Sequence, residues 1–186
     1  IHVIDYGLGN VQAFLTLYKR LGFEATRAKT ATDLTGATKI ILPGVGAFDH
    51  AIELLNQSGM RPTLEALVVQ DKVPVLGICV GMQILASASD EGHLPGLGWV
   101  PGKVYAFRAN EQSASLPVPH MGWNDVQPKP GSLLFAGLES DARFYFLHSY
   151  YFECDEPSHV AAVAAYGFDF SCAVTAGNVY GVQFHP

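Results

Sequence analysis

Residues 73–78 carry almost nothing polar, and at their end Cys79 stands between two glycines, in Gly77-Ile78-Cys79-Val80-Gly81. A strand without a polar face must be covered on both sides, as in a parallel sheet between helical layers. Met82, Ile84 and Leu85 then follow at helical spacing. Two earlier segments repeat the pattern. Residues 1–6 give way to Gly7-Leu8-Gly9-Asn10 and then to Val11, Phe14, Leu15, Tyr18 and Leu21, one face of a helix stopping at Gly22. Residues 39–42 lead through Pro43-Gly44-Val45-Gly46 into a stripe of Phe48, Ile52 and Leu55, with Asp49 and Glu53 near its positive end. Leu64, Leu67 and Val68 suggest a further short helix. Such alternation predicts a parallel sheet with right-handed crossovers. Ligands then sit beyond the carboxyl ends of the strands, where the loops starting at Gly7, Pro43 and Cys79 should meet.

From about Leu97 short aromatic or β-branched runs replace this rhythm, at residues 99–107, 123–126, 143–148, 160–166, 170–175 and 179–184. Pro and Gly punctuate them, so this half reads as mainly β. No linker, repeat or low-complexity tract divides the chain, and 186 residues suit a single domain over 1–186. The expected class is α/β: a mainly parallel sheet flanked by helices, with a strand-rich C-terminal half. A chain this long buries roughly 70 % of its surface, enough for a core without staples. A net charge of −6 without a Lys/Arg cluster disfavours a nucleic-acid or anionic-membrane partner. No apolar run reaches the roughly 18 residues of a membrane span, and the opening is a strand pattern rather than a signal peptide. Three irregularly spaced cysteines, without CxxC or zinc-type spacing, argue against a disulfide scaffold or a metal site and for a reduced, cytoplasmic setting. Gly7-x-Gly9 is half a dinucleotide fingerprint, but Gln12 stands where the third glycine belongs, so no nucleotide cofactor is expected.

Gly-x-Cys-x-Gly between a buried strand and a helix is the thiol counterpart of the Gly-x-Ser-x-Gly elbow. A sharp strand-to-helix turn strains the nucleophile and lifts its side chain from the sheet, while small neighbours avoid clashes. The helix N-terminus should favour the thiolate, and the Val80 N–H should point to where an oxyanion forms. Cys154 and Cys172 lack an elbow and read as inert. A thiol nucleophile needs a proton carrier, and among seven histidines His185, at the end of the run 179–184, and His148 lead. His2 lies at the wrong strand end, His50 and His93 in a helix and a loop, while pattern does not decide His120 and His159. The loop Pro43-Gly44-Val45-Gly46 is either a tight turn or the source of a second oxyanion N–H.

Asp5-Tyr6-Gly7-Leu8-Gly9-Asn10, Leu42-Pro43-Gly44-Val45-Gly46-Ala47-Phe48, Gly77-Ile78-Cys79-Val80-Gly81-Met82-Gln83, Pro119-His120-Met121-Gly122-Trp123-Asn124, His148-Ser149-Tyr150-Tyr151 and Gly181-Val182-Gln183-Phe184-His185-Pro186 occur in this order. Together they resemble the class I, triad-type glutamine amidotransferases, and within them the glutaminase subunits of imidazole glycerol phosphate synthase. The resemblance implies a flavodoxin-like fold and hydrolysis of glutamine without a cofactor. Cys79 would attack the carboxamide, with His185 as base and then acid. Val80, Val45 and Gly46 would form the oxyanion hole. Gln83, Ser149 and Tyr150 would hold the α-amino and carboxylate end of the substrate. Asn10, Met121 and Trp123 would lie near a cyclase-type synthase partner and the ammonia exit, the two chains forming a heterodimer that makes imidazole glycerol phosphate and AICAR in histidine biosynthesis. Asn10 reads equally as a helix cap, and core is the alternative reading of Met121 and Trp123. The family places a glutamate two residues beyond the histidine, past Pro186, so the domain is expected to be cut short at its C-terminus. Residues 144–152 and Val80 resemble a paralogous branch that supplies ammonia for amidating a surface-polysaccharide sugar. Two rivals stand beside these: a cysteine hydrolase or peptidase of related architecture, and a non-catalytic partner-binding module.

Overall fold

The computed structural model describes residues 1–138 and 140–185. The first half runs β1 (His2–Ile4), α1 (Val11–Arg20), β2 (Thr26–Ala28), β3 (Ile40–Gly44), α2 (Phe48–Gln57), α3 (Arg61–Glu65), β4 (Val75–Cys79) and α4 (Val80–Gln83). The second runs β5 (Ala88–Ser89), β6 (Gly102–Ala106), β7 (His120–Asp125), β8 (Gln127–Pro128), β9 (Arg143–His148), β10 (Tyr150–Cys154), β11 (Val160–Ala165), β12 (Asp169–Ala176) and β13 (Val179–Val182).

One sheet carries both halves, in the order β2-β1-β3-β4-β13-β12-β10-β6-β5, with β11 and β8 branching from β12. The neighbours from β2 to β13 are all parallel. Antiparallel pairing begins at β12 and continues through β10 to β6. The mainly parallel sheet expected from sequence is therefore its N-terminal side plus β13, and the strand-rich half supplies an antiparallel extension. β7 and β9 form a separate two-stranded ribbon.

Burial explains the elements. Every residue of β3 is buried, as is β4 except the half-buried Leu76, because helices cover both faces. α2 buries Phe48, Ala51, Ile52 and Leu55, the i, i+3, i+4, i+7 stripe of one helix face. Asp49 does more than favour the helix N-terminus. Its carboxylate accepts the backbone N–H groups of His93 and Leu94 and so ties down the loop after β5. α4 is shorter than the apolar spacing through Leu85 suggested: regular helix ends at Gln83, although Ile84, Leu85 and Ala86 stay wholly buried. Beneath the antiparallel strands Phe107, Phe135, Phe146, Phe152 and Phe170 form an aromatic core that is essentially inaccessible.

Candidate functional site

The end of β4 is the sharpest point of the backbone. Cys79 has φ 57° and ψ −118°, a conformation that costs a non-glycine residue about 1–3 kcal/mol and persists only where its surroundings over-determine it. The surroundings do so through close approach. A Cβ at Gly81 would collide with the Leu42 carbonyl, one at Gly77 would meet the Gly81 carbonyl at 2.5 Å, and one at Gly44 would strike the Gly81 amide. The glycines flanking Cys79 thus let α4 turn back across β3.

Cross-strand register sets what stands beside the thiol. β3 pairs Gly44 with Cys79, so Val45, the first residue of the loop after β3, lies beside Val80, the first residue of α4. Gly46 has φ 89°, and Val45 is half exposed at 51 %. The buried Tyr6 hydroxyl donates to the Pro43 carbonyl at 2.8 Å, and a Cβ at Gly9 would meet the Pro43 ring at 2.8 Å. The Gly7-x-Gly9 loop therefore packs the Pro43 turn, a structural reason for glycine there. Asn10 caps α1 by accepting the Ala13 N–H at 3.1 Å. Asn10, Val45, Ile78 and His185 line one open groove of about 810 Å³, which the Gly7 and Pro43 loops also border.

β13 lies parallel to β4 with Val182 opposite Ile78, so the residues leaving β13 pass Cys79. Gln183 Nε2 donates to Cys79 Sγ at 3.8 Å. His185 follows, exposed at the same edge, with its N–H on the Tyr145 carbonyl of β9 at 3.2 Å. The rival base falls away. His148 is buried, with one ring nitrogen 2.9 Å from His120 and the other 2.7 Å from the Tyr150 carbonyl.

The resting charge state departs from the expectation of a thiolate. Burial pushes the Cys79 thiol up; the Val80 N–H pulls it down, and the carboxylate of Glu91 raises it further. Desolvation outweighs the short helix. Desolvation also lowers His185, so the resting pair is thiol and neutral imidazole. Cys154, half-buried, is pushed up to about 12 and the fully buried Cys172 higher still, both by burial, consistent with inert thiols.

The profile of the Glutamine amidotransferase class-I family matches residues 2–186. The HisH subunit of imidazole glycerol phosphate synthase from Bdellovibrio bacteriovorus is 66 % identical over 186 residues, spanning all of this chain and 91 % of that protein. The chain belongs to the class-I glutamine amidotransferases. The HisH subunit of Leptospira borgpetersenii is 49 % identical over the same span, again covering 91 % of that protein. A crystal structure of a glutamine amidotransferase superposes at TM-score 0.75 with 21 % identity, covering all of this chain and 90 % of that one. PurLQS of Thermotoga maritima superposes at 0.72 with 19 % identity over all of this chain and 86 % of that one. These two likenesses concern the fold.

Within this amidotransferase the other residues singled out from sequence fall in two places. Gln83 is buried against the site, its amide nitrogen donating to Gln183 Oε1 at 2.9 Å and to the Tyr150 carbonyl at 3.5 Å. Ser149 and Tyr150 are half buried where β9 passes into β10. Met121 and Trp123 are not core: they stand on the outer face of the ribbon, 64 % and 66 % exposed. Two residues escaped the sequence reading. Gln183 lies inside the Gly181-Val182-Gln183-Phe184-His185-Pro186 motif, but only the β4–β13 register puts its amide on the sulfur. Glu91 sits in a loop without any motif; its half-buried carboxylate accepts the Phe48 N–H at 2.9 Å and acts electrostatically on both Cys79 and Tyr150. Among the described residues no helix is long and apolar enough to cross a membrane.

Proposed function

We propose that the chain hydrolyses glutamine to glutamate and ammonia through a cysteinyl thioester. The ammonia passes to a separate cyclase-type synthase subunit making imidazole glycerol phosphate and AICAR in histidine biosynthesis. The observation that carries this is Cys79 on a strained elbow, faced by the Gln183 amide, with His185 on the neighbouring strand's exit from the same edge. The HisH relatives at 66 % and 49 % identity support the pathway.

The raised thiol and lowered imidazole give His185 its task. It removes the proton as Sγ attacks the carboxamide carbon, because no thiolate stands ready beforehand. The carbonyl electron pair moves onto oxygen, where the N–H groups of Val80 and of the Val45–Gly46 loop are offered as partners. When the oxyanion collapses the C–N bond breaks, and the departing amide takes the proton from His185 as ammonia. Water, deprotonated by His185, then adds to the thioester carbonyl and expels the sulfur, giving glutamate and the starting thiol. Glu91 matches the α-ammonium of glutamine in charge, and Ser149, Tyr150 and Gln83 border the same end. A carboxylate two residues beyond His185 would orient its ring.

Ammonia released to water is lost to synthesis, so the exit should face a partner. The groove beside Asn10 and Val45 and the exposed Met121 and Trp123 form the face we assign to a heterodimer with the synthase. A reduced, cytoplasmic setting suits the reactive thiol.

The test is glutamate release from glutamine by the full gene product, alone and with a histidine-pathway cyclase carrying its nucleotide ligand. Strong stimulation is the expected result. No stimulation, with Cys79 still alkylated by a glutamine-like chloroketone, would transfer the chain to the sugar-amidating branch. Equal slow labelling of Cys79, Cys154 and Cys172 would leave only a non-catalytic binding module.

A further inference from the structure

β7 carries two different surfaces. Its odd-numbered residues, Met121 and Trp123, face solvent opposite Leu147 and Tyr145 of β9. Its even-numbered His120 and Asn124 belong to a polar chain on the inner side. His120 is 4 % and His148 6 % exposed, and the two rings sit among Phe107, Phe146 and Phe170. Two imidazoles in an aromatic core are an expense that packing alone does not require.

The protons of this chain have only one consistent arrangement. Asn124 Oδ1 accepts the Asp125 N–H at 2.8 Å, and its Nδ2 donates to the Ala165 carbonyl at 2.9 Å, which fixes the amide's orientation. The second Nδ2 hydrogen points to His120 Nε2 at 3.3 Å, so that nitrogen accepts. A neutral His120 then carries its proton on Nδ1 and donates to His148 Nε2 at 2.9 Å. His148 in turn carries its proton on Nδ1 and donates to the Tyr150 carbonyl at 2.7 Å. Burial keeps both rings neutral, with His120 lowered to about 4 and His148 to about 3.

The Tyr150 carbonyl also receives Gln83 Nε2, which donates to Gln183 Oε1, whose amide nitrogen donates to Cys79 Sγ. We infer that His120 and His148 are positioning residues for the thiol reaction. Through a chain of hydrogen bonds running one way from Asn124, they fix the Tyr150 carbonyl and so the Gln83–Gln183 amides that face the sulfur. Neither ring touches Cys79. Their effect is exerted through the orientation of the Gln183 donor, which stabilises the thiolate formed during attack.

The inference rests on the glutaminase reading for its kinetic consequence but not for its two other readouts. In the wild-type chain at pH 7, long-range ¹H–¹⁵N spectra should show both rings protonated at Nδ1 and bare at Nε2. An Nε2–H tautomer at either ring overturns the inference without any substitution. His148→Phe keeps an aromatic ring in the nest and removes the donor to Tyr150. It should slow alkylation of Cys79 by iodoacetamide and lower partner-stimulated kcat about ten- to hundredfold. His148→Asn, which places an amide N–H where Nδ1 was, should restore most of both. Wild-type alkylation and kcat in His148→Phe, or no recovery in His148→Asn, would overturn the proposal. If His148→Phe does not fold, the wild-type tautomers still decide. If the wild type releases no glutamate with any cyclase, the functional reading fails, while the tautomers and the alkylation rates continue to judge the positioning chain.

Discussion

Cys79 and His185 leave the carboxyl ends of neighbouring parallel strands, yet the chain holds them by different means. Cys79 is 7 % exposed and locked by contacts among Gly44, Gly77 and Gly81 that belong to the sheet and α4. His185 is exposed three residues after β13 ends at Val182, beyond the point where Gln183 passes the thiol, and its placement comes from outside the sheet. Its N–H reaches the Tyr145 carbonyl, and Phe184 beside it stacks on Phe144 with ring centroids 4.0 Å apart. Tyr145 and Phe144 both belong to β9 of the ribbon whose outer face carries Met121 and Trp123. The residue we assign as nucleophile is thus built into the parallel sheet, whereas the one we assign as base is held by the element that we assign to the partner.

The largest effects separate the two residues outright. Cys79→Gly should abolish glutamate release, a loss of at least about 10⁴-fold, and, by relieving the positive-φ strain, should be about 1 kcal/mol more stable than Cys79→Ala, which loses the same thiol. His185→Ala should cost about 10²- to 10⁴-fold in kcat, with Cys79 still alkylated and the thermal midpoint unchanged. Unfolding curves and single-turnover kinetics check both. A Cys79→Gly chain less stable than Cys79→Ala would show that the elbow stores no strain. Next comes Gly81→Ala, whose methyl must displace the Leu42 carbonyl of β3. About 3 kcal/mol should be lost, seen as a midpoint lowered by about 6–12 °C in calorimetry.

How much of this was legible follows from where each constraint resides. β3 and β4 could be read because burial on both faces leaves an unbroken apolar run, and the glycines at 77 and 81 mark the elbow between them. β2 could not: two of its three residues, Thr26 and Arg27, are exposed, so the strand exists only because β1 offers it an edge. The boundary between β9 and β10 was hidden in the aromatic stretch 144–152, where composition is uniform and only the backbone departs, at Ser149. Among site residues, Cys79 was visible from its neighbours in sequence. Gln183 and Glu91 act across separations of 104 residues to Cys79 and 43 to Phe48, and spacing along the chain says nothing about either. Met121 and Trp123 were ambiguous for a related reason: an apolar residue alternating along a strand reads the same whether its face meets a core or a partner.

The charge state of the pair gives the next test. Because burial raises the Cys79 thiol, alkylation by iodoacetamide in the isolated chain should climb about tenfold per pH unit from pH 6 upward. Its midpoint should lie above that of a free thiol. The sign is fixed by the species: raising the pKa leaves less thiolate at a given pH. His185, lowered by desolvation, is already neutral at pH 7 and contributes no further step there. A rate that is flat between pH 6 and 8 would mean a preformed thiolate and would make both ends of the pair alike.

The smallest effect bears most directly on the difference between the two strand ends. Phe184 is 3 % exposed and stacks face to face on Phe144, with Phe135 and Phe146 at its edges. Phe184→Leu keeps an apolar side chain but loses the stack, at a cost of about 1.5 kcal/mol. What shifts is His185, since Gln183 is held separately by its N–H on the Cys172 carbonyl at 2.9 Å and by the Gln83 amide, and β4, α4 and the glycine contacts around Cys79 do not include Phe184. A displacement of the order of 1 Å at a proton carrier can lower turnover by about 10²-fold, whereas iodoacetamide, which needs the thiol and the Gln183 donor beside it but not His185, should react at the wild-type rate. Activity lost with alkylation retained would establish that base and nucleophile are positioned independently. If alkylation fell in step with kcat, the sheet and the ribbon would be one mechanical unit, and the distinction between a built-in nucleophile and a ribbon-held base would be lost.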